Sequence, residues 1–229
     1  MKTILVLAAA LVLVGCSHPT GTLETIHRAA ELIHEDPDSA FSILQNIDPD
    51  SIHDDVTRAN YALYYSQALD RSQTMVKSDS LIRIAVEYFD KNGEGSEKAL
   101  AYYQLGQVRL NADSLQSAMN AFLIAESYAD LAGDNYLLGV ISTRKGRIHI
   151  QQHDLDKAME MFDRSLNYMM LYGDSVRIMH AYDNLAHGYS LKKDFEQAMK
   201  YYNIAKNMAI RLDNTEGILN YSWSIASIY

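Results

Sequence analysis

Cysteine, proline and tryptophan are all scarce in this sequence of 229 residues. It contains one cysteine, so a fold held together by disulfides within the chain is excluded. The three prolines are Pro19, Pro37 and Pro49, and everything after Pro49 lacks the strongest helix breaker. Long, uninterrupted helices are therefore possible over most of the chain.

Basic side chains are also in deficit. The chain has 20 Lys and Arg residues against 29 Asp and Glu residues, a formal net charge of -9. Such a charge repels phosphates, so this segment is not expected to bind nucleic acid. Hydrophobic residues make up 48% of the chain, which is ordinary for a folded protein and argues against global disorder.

Motifs for catalysis and cofactor binding are missing as well. The sequence has neither the Gly-Lys-Ser/Thr ending of a phosphate-binding loop nor a Gly-x-Ser-x-Gly nucleophile motif. Asp48-Pro49-Asp50 lacks the glycine and the final glutamate of a calcium loop, and a helix-starting turn uses the same residues. We predict that the chain is not an enzyme, needs no cofactor and has no evident small-molecule substrate.

Two histidine pairs are the best candidates for metal ligands. His149 and His153 are four residues apart, a spacing that can chelate a metal when both lie on one helix. His153, however, falls at a predicted turn, and no carboxylate joins the pair at metalloprotease spacing. His180 and His187 share one side of another predicted helix. We predict no metal site and interpret the histidines as part of a polar surface that contacts a partner.

The first 16 residues have the pattern of a processing signal. A short basic start, Met1-Lys2-Thr3, precedes residues 4–14, which are only Ile, Leu, Val and Ala. This run is too short for a membrane-spanning helix, which needs about 20 residues. The segment ends Leu13-Val14-Gly15-Cys16, which resembles the bacterial lipobox.

In lipobox signals the chain is cut before the cysteine, and a diacylglycerol is attached to its sulfur. The resemblance implies a signal peptide at residues 1–15, lipidation of Cys16 and a flexible tether at residues 16–22. It also implies anchoring in the bacterial cell envelope, on the periplasmic or surface side. Ser17 after the cysteine resembles the class sorted to the outer membrane.

The rest of the sequence repeats with a period of 40 residues. Four kinds of position recur: a helix-ending residue, an N-capping residue, a small residue that permits close helix contact, and an alanine followed four residues later by an aromatic ring. In that order they are Gly93, Gly133, Gly173 and Asp213; Thr74, Ser114, Asp154 and Asp194; Ser66, Gly106, Gly146, Ala186 and Ala226; and Ala118, Ala158 and Ala198 with Phe122, Phe162 and Tyr202.

These markers predict two helices in each unit, joined by turns short enough to make them antiparallel. The predicted first helices are 96–111, 135–152 and 175–191, and the second helices are 114–132, 154–172 and 194–212. A less regular pair is predicted at 54–70 and 74–89, a shorter pair at 23–34 and 39–47, and one further first helix at 215–229.

The spacing of aromatic, leucine-glycine, alanine and aromatic residues resembles the tetratricopeptide repeat. The motifs are Tyr102-x2-Leu105-Gly106 with Ala118-x3-Phe122-x2-Ala125, and Tyr182-x2-Leu185-Ala186-x2-Tyr189 with Ala198-x3-Tyr202-x2-Ala205. The sequence departs from the family at Lys145 and Ser165, in the missing proline of each unit, and in a period of 40 rather than about 34 residues. The resemblance implies an all-α solenoid of stacked antiparallel helix pairs over residues 23–229.

The last residues, 222–229, are rich in apolar groups and fall inside a predicted helix. The terminal unit of a solenoid should present a polar outer face. We therefore expect the repeat domain to continue beyond Tyr229, or another chain to cover this end.

In the tetratricopeptide family the first helices line a concave groove that binds peptides or partner helices. The resemblance assigns a stripe of aromatic, amide and charged residues to that groove, a mixture that suits recognition of an extended chain. These residues are Asn60, Leu63 and Gln67; Leu100, Tyr103 and Gln107; Val140, Thr143 and Arg147; His180, Asp183 and His187; and Asn220, Trp223 and Ser227. The alternative is a merely solvated face.

The predicted function is a lipid-anchored scaffold that binds a protein or peptide partner at the cell envelope. The alternative is the exported sensor domain of a longer regulator, with a membrane-spanning helix and an effector domain beyond Tyr229.

Overall fold

The computed structural model describes residues 19–228, and this part of the chain forms α-helices and no β-strand. The predicted signal peptide and Cys16 lie outside the described residues. The helices are α1 Pro19–Leu32, α2 Pro37–Gln45, α3 Asp55–Arg71, α4 Ser80–Asn92, α5 Gly95–Asn111, α6 Leu115–Ala132, α7 Asn135–Gln151, α8 Leu155–Tyr172, α9 Ser175–Leu191, α10 Phe195–Arg211 and α11 Thr215–Ala226.

Consecutive helices pack against one another as antiparallel pairs, and each pair packs on the next. The fold is therefore the predicted all-α solenoid. From α5 onward the first and second helices begin and end within one residue of the predicted bounds, apart from α11. None of the helices between residues 19 and 228 is both long enough and apolar enough to cross a membrane.

At the small-residue position of the repeat, a glycine of the first helix contacts an aromatic ring of the second helix. A Cβ atom added at Gly106 would lie 2.6 Å from the Phe122 ring, and one at Gly146 would lie 2.5 Å from the Phe162 ring. Both phenylalanines are almost completely buried. These contacts confirm the prediction that glycine here permits close approach of the paired helices.

Two of the predicted helix-terminus markers are also confirmed. The carboxylates of Asp154 and Asp194 accept hydrogen bonds from the third residue of α8 and α10, at 3.2 and 3.1 Å. Gly133 and Gly173 end α6 and α8 with φ of 67° and 85°, in the left-handed region that favours glycine. Ser114 precedes α6 but makes no capping bond through its side chain.

In the α3–α4 unit the N-capping marker is wrong and the helix-ending marker is right only in position. Helix α4 begins at Ser80 rather than at Thr74, and the irregular segment before it is fixed by the Asn111 side chain, which donates to the Val76 carbonyl at 3.2 Å. Gly93 does follow the end of α4, but with φ of -85° and ψ of 160° it is not left-handed. Tertiary contacts override the local pattern in this unit.

The predicted tether also needs a correction, because residues 19–22 belong to α1. Proline is tolerated in the first turn of a helix, where its missing N–H would have no partner. The Thr25 hydroxyl then donates to the Gly21 carbonyl at 2.8 Å, which ties the first turn to the second.

One repeated feature went unpredicted. The turn between the first and second helix of each unit contains a non-glycine residue with φ between 56° and 62°. These residues again lie 40 apart, at Gln73, Asp113, His153 and Lys193. The recurrence of a polar residue every 40 positions in the sequence could have indicated this turn conformation.

Candidate ligand-binding pocket on the inner surface

The first helices form the inner layer of the solenoid. Helix α3 packs directly on α5, and α5 touches α7 over a shorter stretch, whereas successive second helices contact one another less. A layer whose members lie closer together is the inner side of a curved stack. Contact between first helices falls from α3–α5 to α7–α9, so the inner layer opens toward its C-terminal end.

The exposure of the predicted groove residues increases in the same direction along the chain. On α3 and α5 they are mostly buried, as seen for Asn60, Leu63, Gln67, Tyr103 and Gln107, with Leu100 half-buried. On α7 and α9, Val140, Thr143 and Asp183 are half-buried, and Arg147, His180 and His187 are exposed. On α11, Asn220, Trp223 and Ser227 are all exposed.

Leu63 therefore does not belong to a binding surface. It has no exposed area, because it lies in the core formed by α3, α4 and α5. Tyr103 is also largely core, since its ring packs against Phe122 with the two ring centroids 5.9 Å apart. Only the C-terminal part of the predicted stripe is open to a partner.

A pocket of about 300 Å³ lies where the inner layer opens. It brings together Tyr103, Val140, Thr143, Arg147 and His180, which the sequence assigned to the groove. Nine further residues line it: Asp70, Arg71, Tyr136, Arg144, Ser165, Met169, Arg177, Ala181 and Asn184. The lining comes from five helices, α3, α5, α7, α8 and α9.

Four arginines converge on this pocket in a chain whose net charge is -9. Arg71 ends α3, Arg144 and Arg147 lie three apart on α7, and Arg177 lies in the first turn of α9. Within residues 19–228, none of the four has a carboxylate within ion-pair distance. Asp70 is the one acidic residue in the lining. The pocket is therefore a local concentration of positive charge.

Aromatic rings and an amide hold these guanidinium groups in place. Arg71 donates to the Tyr136 hydroxyl at 2.5 Å, and Arg177 lies over the Tyr136 ring, 5.2 Å from its centroid. Arg144 donates to the Tyr103 hydroxyl at 3.4 Å. Arg147 donates to the Asn184 side chain, also at 3.4 Å.

The pKa values of groups in and beside the pocket respond to its charge. Arg147 is exposed as a whole residue, but desolvation of its guanidinium, and then the positive charge of Arg144, lower its pKa. Burial, and then the charges of Arg71 and Arg177, lower the pKa of His34, whose Nδ1 lies 3.1 Å from the Arg71 guanidinium. Arg144 differs, because burial acts to lower its pKa but Tyr103 and Asp70 together raise it.

Hydroxyl groups and apolar atoms form the rest of the lining. The Thr143 and Ser165 hydroxyls lie 2.8 Å apart, and Ser165 donates to the Gly139 carbonyl at 2.9 Å. Val140, Met169 and Ala181 supply apolar wall. Ser165, which departs from the alanine of the repeat pattern, thus has a polar role between α7 and α8.

The sequence analysis missed Arg71, Arg144, Arg177 and Tyr136. Arg144 lies one residue from the predicted stripe, and its spacing from Arg147 puts both arginines on one face of α7. Two arginines on one helix face of an acidic chain could have indicated a positively charged site from the sequence alone. Arg71 and Arg177 lie at helix ends, and only the stacking of the units brings them to α7.

The histidine pair considered as a metal site does not lie on one helix. His149 belongs to α7, whereas His153 follows the helix end with φ of 61°. In the part of the chain that the structure describes, no three His, Cys, Asp or Glu residues are grouped as they would be around a metal ion.

Comparison with known proteins identifies the fold and not a function. No protein-family model matches the sequence. No curated protein matches it significantly either. Several solved structures are similar in fold.

One of these structures is a signal transduction ATPase with numerous domains and a tetratricopeptide repeat sensor, from Pyrococcus horikoshii. It is 17% identical with a TM-score of 0.70, and the match covers 89% of this chain but 31% of that one. The apo form of RapI is 12% identical, with 87% and 74% of the two chains covered and a TM-score of 0.69. Aspartyl phosphate phosphatase F from Bacillus subtilis is 13% identical, with 89% and 55% covered and a TM-score of 0.69.

The chain thus spans about a third of the length of the first of these proteins and about half of the last. At this level of identity the likeness concerns the backbone alone. Together with the helix pairs described above, it identifies the fold as an all-α solenoid, similar to that of a tetratricopeptide repeat sensor.

Proposed function

We propose that this chain is a lipid-anchored scaffold of the bacterial cell envelope that binds a protein or peptide partner on the inner surface of α7, α9 and α11. The observation that carries the proposal is the opening of the inner layer. Equivalent repeat positions are buried on α3 and mostly exposed on α9 and α11. An exposed row of aromatic, amide and charged groups on a rigid scaffold suits recognition of a polypeptide.

The exposed part of this surface combines different kinds of contact. Trp223 is 78% exposed and offers a large aromatic ring, the type of residue that contributes most to interfaces. Arg147, His180 and His187 offer hydrogen-bond donors along neighbouring helices. A partner segment lying across α7, α9 and α11 could use both.

A pull-down of proximity-crosslinked partners from the native cell tests the binding surface. We compare the wild type with an Arg147→Ala, His187→Ala variant, which changes two exposed side chains and leaves the buried Tyr103 intact. Arg83→Ala is the control, because Arg83 is exposed on α4, away from the pocket. Partners lost only from the double variant support the proposal, and an identical partner list in all three samples refutes it.

The membrane anchor is tested separately at Cys16, the one cysteine of the chain. We expect Cys16→Ser to abolish incorporation of radioactive palmitate and to release the protein from the membrane fraction. Unchanged labelling would refute lipidation and leave the binding surface untouched.

A second candidate is the sensor domain of a longer regulator. It is favoured by the similarity to a protein that carries a tetratricopeptide repeat sensor and of whose length this chain spans 31%. Sequencing the gene beyond the codon for Tyr229 tests it. A membrane-spanning segment of about 20 apolar residues followed by an effector domain would support the regulator.

A further inference from the structure

We propose that the pocket lined by Arg71, Arg144, Arg147 and Arg177 binds a small free oxyanion, a molecule that carries carboxylate or phosphate groups on a short carbon body. This inference goes beyond the binding of a protein partner and does not depend on it. It adds a small-molecule ligand to a chain whose sequence showed no sign of one.

The pocket arginines lack counter-ions within the described residues. Of the six other arginines between residues 19 and 228, four lie within 3.5 Å of a carboxylate oxygen, namely Arg58, Arg83, Arg109 and Arg164. The remaining two, Arg28 and Arg211, are exposed to solvent. The four pocket arginines have no such partner among residues 19–228. Repelling charges gathered in a half-buried cavity destabilise the fold unless something compensates them. A bound anion would do so.

The guanidinium groups are positioned before any ligand binds. Each has five N–H donors, and few of them are engaged: Arg71 contacts Tyr136 and His34, Arg144 contacts Tyr103, and Arg147 contacts Asn184. Arg177 is held by the Tyr136 ring. Groups already fixed by neighbours lose less entropy when a ligand binds. Guanidinium groups also match the oxygens of carboxylate and phosphate in bidentate pairs, as ammonium groups do not.

The size and the lining of the pocket also fit a small ligand. A volume of about 300 Å³ lies at the lower end of the range for small-molecule pockets. Val140, Met169 and Ala181 offer an apolar wall for a carbon skeleton, and the Thr143 and Ser165 hydroxyls offer further polar contacts. All four arginines line this one pocket instead of being spread along the groove, which fits a compact ligand better than an extended chain.

A bound anion would also link separate units of the solenoid. Arg71 comes from α3, Arg144 and Arg147 from α7, and Arg177 from α9. Helices α7 and α9 touch each other less than α3 touches α5. A ligand that bridges α7 and α9 would bind only the folded chain and would raise its stability by mass action.

The test is binding of citrate and of inorganic pyrophosphate to the purified 229-residue chain, followed by calorimetry and by thermal unfolding. Sodium chloride at matched ionic strength corrects for general salt effects. The pocket variant is Arg144→Gln with Arg147→Gln. The control variant is Arg58→Gln with Arg83→Gln, which removes the same charge from a half-buried and an exposed arginine outside the pocket.

For the wild type and the control variant, we expect saturable binding of at least one probe and a rise of the unfolding midpoint by at least about 2 °C. The pocket variant should bind at least tenfold more weakly. Arg147→Gln alone, at an exposed position, should show the same direction if the double variant folds poorly.

Three results would overturn the proposal. They are no binding of either probe to the wild type, equal binding by the pocket variant and the wild type, and binding of polyglutamate without binding of citrate or pyrophosphate. The last result would assign the arginines to an acidic polypeptide. The first two results leave partner capture from the cell untouched, and the third favours a polypeptide ligand over a small anion, so this inference can fail while the proposed function stands.

Discussion

The two ends of the inner surface use the same repeat position in opposite ways. Leu63 on α3 and Trp223 on α11 are equivalent residues, four repeats apart. Leu63 has no exposed area, whereas Trp223 is 78% exposed. Between them, Thr143 and Asp183 are half-buried.

The difference shows that a repeat position fixes the face of a helix but not its exposure. Exposure depends on how closely the neighbouring first helices approach. Small residues such as Ala59 and Ala62 let α3 pack tightly against its neighbours, and arginines take up the wider space between α7 and α9. One end of the inner surface therefore serves as core and the other is free to bind.

The largest expected effect is at Leu63. Leu63→Ala should lower the free energy of unfolding by about 2–5 kcal/mol, because it leaves a cavity in a packed core. Trp223→Ala should change it by less than about 0.5 kcal/mol, as is usual for exposed positions. Urea denaturation followed by circular dichroism measures both. If both substitutions changed the free energy of unfolding equally, the proposed difference between the two ends would be wrong.

A somewhat smaller effect is expected where the paired helices touch. Gly146→Ala should destabilise the fold by about 1–3 kcal/mol, because its Cβ would overlap the Phe162 ring and force the helices apart. Gly21→Ala is the matched control, since a Cβ there meets nothing within 4 Å. Thermal unfolding should show a lower midpoint for the first variant and an unchanged or higher one for the second.

Asp183 occupies the repeat position of Leu63, but replacing Asp183 is expected to stabilise the fold instead of destabilising it. Burial raises the pKa of the Asp183 carboxyl, although His180, His187 and Arg147 oppose the shift. The ionised form is therefore disfavoured in the folded state, and its cost is fully present once the pH exceeds the folded-state pKa. Asp183→Asn should raise the unfolding midpoint slightly at pH 7. A lower midpoint would show that Asp183 supports the fold.

The smallest expected effect is the contribution of His34 to the pH dependence of stability. The pKa of His34 is lowered from 6.5, so the unfolded chain takes up the proton first as the pH falls. The contribution of His34 to stability is full above about pH 6.5 and is lost as the pH falls through its folded-state value. Thermal unfolding at pH 7 and pH 5 should show a smaller loss for His34→Gln than for the wild type. An equal loss would rule out His34 as a contributor.

The regular part of the fold was predictable because its signals are local. The alanine and aromatic pairs, the caps at Asp154 and Asp194, and the glycines at 133 and 173 fix the helix bounds from α5 to α10. The α3–α4 unit was less predictable, because the irregular segment before α4 is fixed by a long-range hydrogen bond from Asn111 on α5.

The pocket was predictable only in part. Arg147, Thr143 and His180 follow from the repeat position, since they lie on the inner faces of first helices. Arg71 and Arg177 do not, because they reach the pocket from the ends of α3 and α9. Their convergence depends on the angle and spacing between stacked units, which no local pattern in the sequence encodes.

The central claim is that the open C-terminal part of the inner surface binds a partner. Site-specific photocrosslinking in the native cell tests it most directly, with the photoreactive residue placed at His187 on the inner face of α9 or at Asn207, an exposed position of the second helix α10. We predict a discrete crosslinked product from position 187 and none from position 207. Crosslinks of equal strength at both positions, or at position 207 alone, would contradict the account.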